Sequence, residues 1–122
     1  MSLKSNFGKY VVAEPNGDAN ANRAIASHYE TWTLTFVDDY HVQFKSYHGK
    51  YLVAEPFTGK VNANRAVASH YETWTVVDKG AGKFAFQSYH GKYLVSETDG
   101  RLNADRYEAG AWETFEVNKK SC

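Results

Sequence analysis

Ser46-Tyr47-His48-Gly49-Lys50-Tyr51-Leu52-Val53-Ala54-Glu55-Pro56 leads, through a turn at Gly59, into Val61-Asn62-Ala63-Asn64-Arg65 and then Ser69-His70-Tyr71-Glu72-Thr73-Trp74. The whole stretch occurs three times. Residues 5–32 repeat it with Gly8-Lys9-Tyr10, Ala13-Glu14-Pro15, Asn20-Ala21-Asn22-Arg23 and Ser27-His28-Tyr29-Glu30-Thr31-Trp32. Residues 88–115 repeat it more loosely, with Ser88-Tyr89-His90-Gly91-Lys92-Tyr93-Leu94, Asn103-Ala104-Asp105-Arg106 and Trp112-Glu113-Thr114-Phe115. A period of about forty residues marks a repeat architecture. Pieces that short bury too little surface to fold alone. The repeats, approximately 1–40, 41–82 and 83–122, must therefore share one core, and the chain reads as a single domain over 1–122.

Each repeat divides into four short strands. Period-two alternation in His41-Val42-Gln43-Phe44-Lys45 and Lys83-Phe84-Ala85-Phe86-Gln87 predicts strands with Val42, Phe44, Phe84 and Phe86 inward, and Leu3-Lys4 begins the equivalent element. After each Gly-Lys corner a second strand places Val11, Leu52 and Leu94 inward, with Ala13, Ala54 and Ser96. Turn residues follow at Pro15-Asn16-Gly17, Pro56-Phe57-Thr58-Gly59 and Thr98-Asp99-Gly100. In the third strand Val61 and Ala63, like Leu102 and Ala104, face in and their asparagine neighbours face out. The fourth strand buries Trp32 with Leu34, Trp74 with Val76 and Phe115 with Val117. The alanine-rich residues 63–69 lack a 3.6-residue apolar period, so they predict a connection with one 3₁₀ turn. Twelve short strands in three pseudo-threefold repeats describe an all-β chain, a β-trefoil, whose closed barrel removes exposed sheet edges.

Composition narrows the function. Lysine plus arginine equal aspartate plus glutamate at 14 each, so no global field calls for nucleic acid or an anionic membrane. No apolar run is long enough for a transmembrane segment, and the amino end carries no signal-like stretch. A cytoplasmic setting is the expectation. Cys122 is the only cysteine, which leaves no intramolecular disulfide.

Three sets of polar and aromatic residues recur at the surface. The first is Asn20, Asn22 and Arg23, with Asn62, Asn64 and Arg65 and with Asn103, Asp105 and Arg106. Amide and guanidinium groups on a rigid strand suit sugar hydroxyls or an acidic partner. The structural alternative has each arginine bridge loop carbonyls or pair with Glu30, Glu72 or Glu113. The second set, His28-Tyr29, His70-Tyr71 and Trp112, sets an aromatic face beside polar groups, as stacking on a pyranose requires; alternatively these rings lid the barrel opening. The third is His48 with Lys50 and His90 with Lys92, a corner that could titrate near neutral pH or simply bond to backbone. No nucleophile elbow, phosphate loop or metal-spaced histidine cluster is present. The expectation is a non-enzymatic protein with no cofactor and no metal site.

The stretches Val42 to Glu55 and Gly82 to Leu94, with the ending Trp112-Glu113-Thr114-Phe115-Glu116-Val117, resemble hisactophilin and the fascin-like trefoils. This resemblance implies a β-trefoil that binds or cross-links filamentous actin, as a monomer or weak dimer. The alternative is a small lectin with up to three related sugar pockets for glycans. A ricin-type lectin would carry Gln-x-Trp, where this chain has Glu30-Thr31-Trp32 and Glu113-Thr114-Phe115.

Overall fold

The computed structural model of the chain describes residues 1–25, 27–55 and 58–118. The first repeat holds β1 (Ser2–Lys4), β2 (Tyr10–Ala13), β3 (Ala19–Arg23) and β4 (Thr33–Phe36). The second holds β5 (His41–Lys45), β6 (Tyr51–Ala54), β7 (Val61–Arg65) and β8 (Trp74–Gly80). The third holds β9 (Lys83–Gln87), β10 (Tyr93–Ser96), β11 (Leu102–Arg106) and β12 (Phe115–Asn118). Every pairing is antiparallel. The run β1–β12–β9–β8–β5–β4 forms a barrel, and Trp32 N–H donates to the Met1 carbonyl at 2.7 Å where it closes. The hairpins β2–β3, β6–β7 and β10–β11 branch from it. This is the β-trefoil that the repeats predict.

Register repeats as faithfully as sequence. Lys4 pairs with Glu116, Lys45 with Thr33 and Gln87 with Thr75, so each junction between repeats is built alike. The core is the predicted one. Leu3, Val42, Phe44, Phe86, Trp32, Trp74 and Phe115 are fully buried beside Val11, Leu52 and Leu94, with Phe84 half-buried against them. Buried indoles need acceptors. Trp32 Nε1 donates to the Val11 carbonyl at 3.1 Å and Trp74 Nε1 to that of Leu52 at 3.2 Å. Ala85, on the outward parity of β9, is buried as well, where the long β8–β9 hairpin sets it opposite Val77.

The predicted 3₁₀ turn lies just beyond residues 63–69. It spans His70–Glu72, and its counterpart spans His28–Glu30. Each is locked by a glutamate that reaches back: Glu72 Oε1 accepts from Ser69 N–H at 2.7 Å and Ser69 Oγ at 3.0 Å, and Glu30 does the same for Ser27. These glutamates are buried, and each spends one carboxylate oxygen on its serine.

The hairpin tips clasp one another in a cycle. Ala63 N–H donates to the Gly17 carbonyl at 2.8 Å, Ala104 to that of Gly59 at 2.6 Å, and Ala21 to that of Gly100 at 2.7 Å. A Cβ on Gly17, Gly59 or Gly100 would lie within 2.9 Å of the Cβ of Asn64, Asp105 or Asn22 respectively, and all three glycines have positive φ. Close backbone approach therefore demands glycine here. The predicted turn residues Pro56 and Phe57, and Cys122 with its disulfide expectation, lie outside the described residues. Among those residues no helix is long and apolar enough to cross a membrane.

Candidate binding grooves between the repeats

The Asn-Ala-Asn-Arg strands are engaged within the fold. Arg23 Nη2 meets both oxygens of Glu14 at 2.7 and 2.8 Å, Arg65 Nη2 meets Glu55 at 2.6 Å, and Arg106 Nη2 meets Glu97 at 3.1 Å. Asn20, Asn62 and Asn103 donate to the same three carboxylates. The arginine partners are thus Glu14, Glu55 and Glu97 at the end of β2, β6 and β10, not Glu30, Glu72 and Glu113. Only Arg65 also approaches one of the latter, with Nε 4.0 Å from Glu72. The reason is geometric: the hairpin register stands Asn20, Asn62 and Asn103 opposite the strand that ends at the glutamate, while Glu30 and Glu72 are spent on their serines. Asn22, Asn64 and Asp105 back onto the turn glycines. Around Arg106, burial works to lower the pKa, but the carboxylates of Asp105 and Glu97 outweigh it and hold the guanidinium above its ordinary value.

The other two sets, separate in sequence, come together. The Tyr29 ring packs on His48 with centroids 4.6 Å apart, Tyr71 on His90 at 4.7 Å, and Trp112 on Phe7 at 5.4 Å. Each contact joins the end of one repeat to the corner of the next. His48 Nε2 lies 3.1 Å from the Ala13 carbonyl and His90 Nε2 3.2 Å from that of Ala54. A carbonyl only accepts, so Nε2 carries the proton in both. Lys50 is exposed at its corner, whereas the Lys92 ammonium sits 5.0 Å over the Tyr107 ring.

Two further rings complete the clusters. Tyr47 stacks on His28 and Tyr89 on His70, each with centroids 5.2 Å apart and planes within 30°, and both tyrosines are 60% exposed. Sequence reading passed over Tyr47, Tyr89 and Phe7. The signal was the Ser-Tyr-His run present in two copies, in which an exposed ring precedes the corner histidine.

Beside each cluster runs a groove, and the three grooves occupy equivalent positions in the three repeats. The first, about 560 Å³, is lined by His28, Thr31, Thr33, Lys45 and Tyr47. The second, about 390 Å³, is lined by His41, His70, Thr73, Thr75, Gln87 and Tyr89. The third, about 520 Å³, takes Ala111, Thr114, Glu116, Lys4 and Asn6 at the matching places and adds Lys79 and Lys83. A separate hollow of about 320 Å³ lies where the hairpins meet, lined by Asp18, Lys60 and Arg101 with the three engaged asparagines.

Twelve strands, three repeats and three matching grooves between them define a β-trefoil binding module. The chain belongs to the FRG1-like domain family, whose family model matches residues 27–121. No curated protein matches it. Among solved structures it is similar to the designed 3-fold symmetric protein ThreeFoil, with a TM-score of 0.82, 20% identity and 94% of each chain covered.

Proposed function

We infer that the first two grooves are saccharide sites and that the chain is a small carbohydrate-binding module. The observation that carries this reading is the pair of exposed Tyr47 and Tyr89 rings, each held by a stacked histidine beside threonine hydroxyls. A fixed aromatic face binds the apolar face of a pyranose, and neighbouring hydroxyls and ring nitrogens bond its hydroxyls. Two near-identical grooves on one rigid body add avidity for a branched or repeating glycan. The Asn-Ala-Asn-Arg strands do not line these grooves, and their arginines are paired with Glu14 and Glu55, as Arg106 is with Glu97.

A glycan array followed by titration calorimetry tests this reading. For neutral glycans, Tyr47→Ala and Tyr89→Ala should each reduce the stoichiometry from two to one, and the double variant should bind none of them while its circular dichroism is unchanged. Binding by the double variant equal to that of the parent chain refutes the assignment. Filamentous actin is the second reading, supported by the resemblance to the fascin-like trefoils and by the lysines of the third groove, which suit an acidic surface. It places the chain in the cytoplasm. Co-sedimentation with filaments, combined with an empty array, would replace the first reading with this one.

A further inference from the structure

The third groove has the backbone of the other two and a different chemistry. Where they carry Tyr47 and Tyr89 it has Asn6, and where they carry His28 and His70 it has Ala111. The aromatic platform is gone. In its place β1, β12 and β9 set Lys4, Glu116 and Lys83 side by side, in the register that places Gln87, Thr75 and His41 together in the second groove. Lys79 joins from the long β8–β9 hairpin, its ammonium anchored on the Ala109 carbonyl at 3.2 Å. Three lysines and one glutamate thus line a single groove, in a chain whose overall charge is zero, with the Lys4 ammonium 5.7 Å over the Tyr10 ring.

We propose that this groove binds the anionic group, a carboxylate or sulfate, of an acidic saccharide. The proposal rests on the reading of the other two grooves as sugar sites. It assigns the third a distinct role: the first two grip neutral ring faces and the third reads charge. Lys79 and Lys83 are both exposed, one on each strand of the same hairpin, so the hairpin fixes their backbones side by side while the side chains remain able to reach an anion. Asn6 and Thr114 add uncharged hydrogen-bonding groups beside them. Lysine acts as a point charge, which admits either carboxylate or sulfate.

The experiment is a titration of the full, isotope-labelled chain followed by amide chemical shifts, with four probes: trigalacturonate, a heparin-derived hexasaccharide, inorganic sulfate and neutral maltotriose. Either acidic oligosaccharide should move the amides of Lys4, Asn6, Lys83 and Gly110. Lys79→Ala with Lys83→Ala should weaken that binding by about tenfold or more, the size expected for charge-assisted hydrogen bonds. Lys60→Ala, at an exposed lysine outside all three grooves, should leave it unchanged, and raising salt should weaken it. Sulfate alone should move the same amides more weakly. Shifts spread over all exposed lysines, or a double variant with unchanged affinity, overturn the proposal. So does a double variant that loses actin co-sedimentation but keeps the acidic saccharides. The arms separate the two readings: a neutral probe that leaves Tyr47 and Tyr89 unmoved counts against the first two grooves, while the acidic arm still decides the third.

Discussion

Ser96 stands where the other two repeats have Ala13 and Ala54, and its Oγ is the single buried side-chain polar atom without a hydrogen-bond partner among the described residues. A buried hydroxyl left unpaired costs about 1–3 kcal/mol, and alanine leaves only a small void in its place. Ser96→Ala is therefore expected to raise stability by about 1 kcal/mol in urea unfolding; a loss would show that the hydroxyl has a role the static contacts miss. At this scale the sequence was informative about direction and silent about partners. The inward parity of Val11, Leu52 and Leu94 could be read from alternation, because a strand's two faces follow from its backbone. That Arg65 meets Glu55 more closely than Glu72 could not, because it depends on which strand the hairpin register brings alongside.

Among the elements, the 3₁₀ turns do the most to place the grooves, since each carries the histidine and tyrosine that meet the next repeat's corner. Their position rests on Glu72 and Glu30. Glu72→Ala strips the acceptor from Ser69 N–H and Oγ at a buried site and is expected to cost about 1–3 kcal/mol. Glu72→Gln keeps an acceptor oxygen and loses only the charge toward Arg65, so its loss should fall between the alanine variant and the parent. Equal losses for the two variants in urea melts would assign the effect to the charge and not to the cap. This element was legible and was placed too early. Ser69 followed three residues later by Glu72 is a capping-box pattern, and it sets the start of the turn better than the alanine content that drew attention to 63–69. The grooves were legible only in halves. Tyr29 and His48 belong to different repeats, and no periodicity within a repeat announces a contact across its boundary.

On the scale of the whole molecule, the repeats bind one another through contacts that lie between them: the cyclic hairpin-tip bonds, the ring pairs and the barrel register. A lone repeat has none of these and too little core of its own. A peptide of residues 41–82 is thus expected to be unfolded as a monomer in dilute solution, and a folded monomer would refute the shared core. Three copies of the same segment joined in tandem meet the opposite condition. The seam at residues 82 and 83 is the natural one, and the matching registers at Lys4–Glu116, Lys45–Thr33 and Gln87–Thr75 let the last copy pair with the first. Such a chain also puts the Ala54 equivalent in place of Ser96, and a histidine bonded to backbone in place of Phe7. It should fold as a monomer and exceed the natural chain's stability by about 1–2 kcal/mol, the sum of one relieved hydroxyl and one added hydrogen bond. Thermal melts with light scattering for mass decide the matter. A symmetric chain that melts lower would mean that the divergent third junction, lysine groove included, contributes to holding the barrel closed.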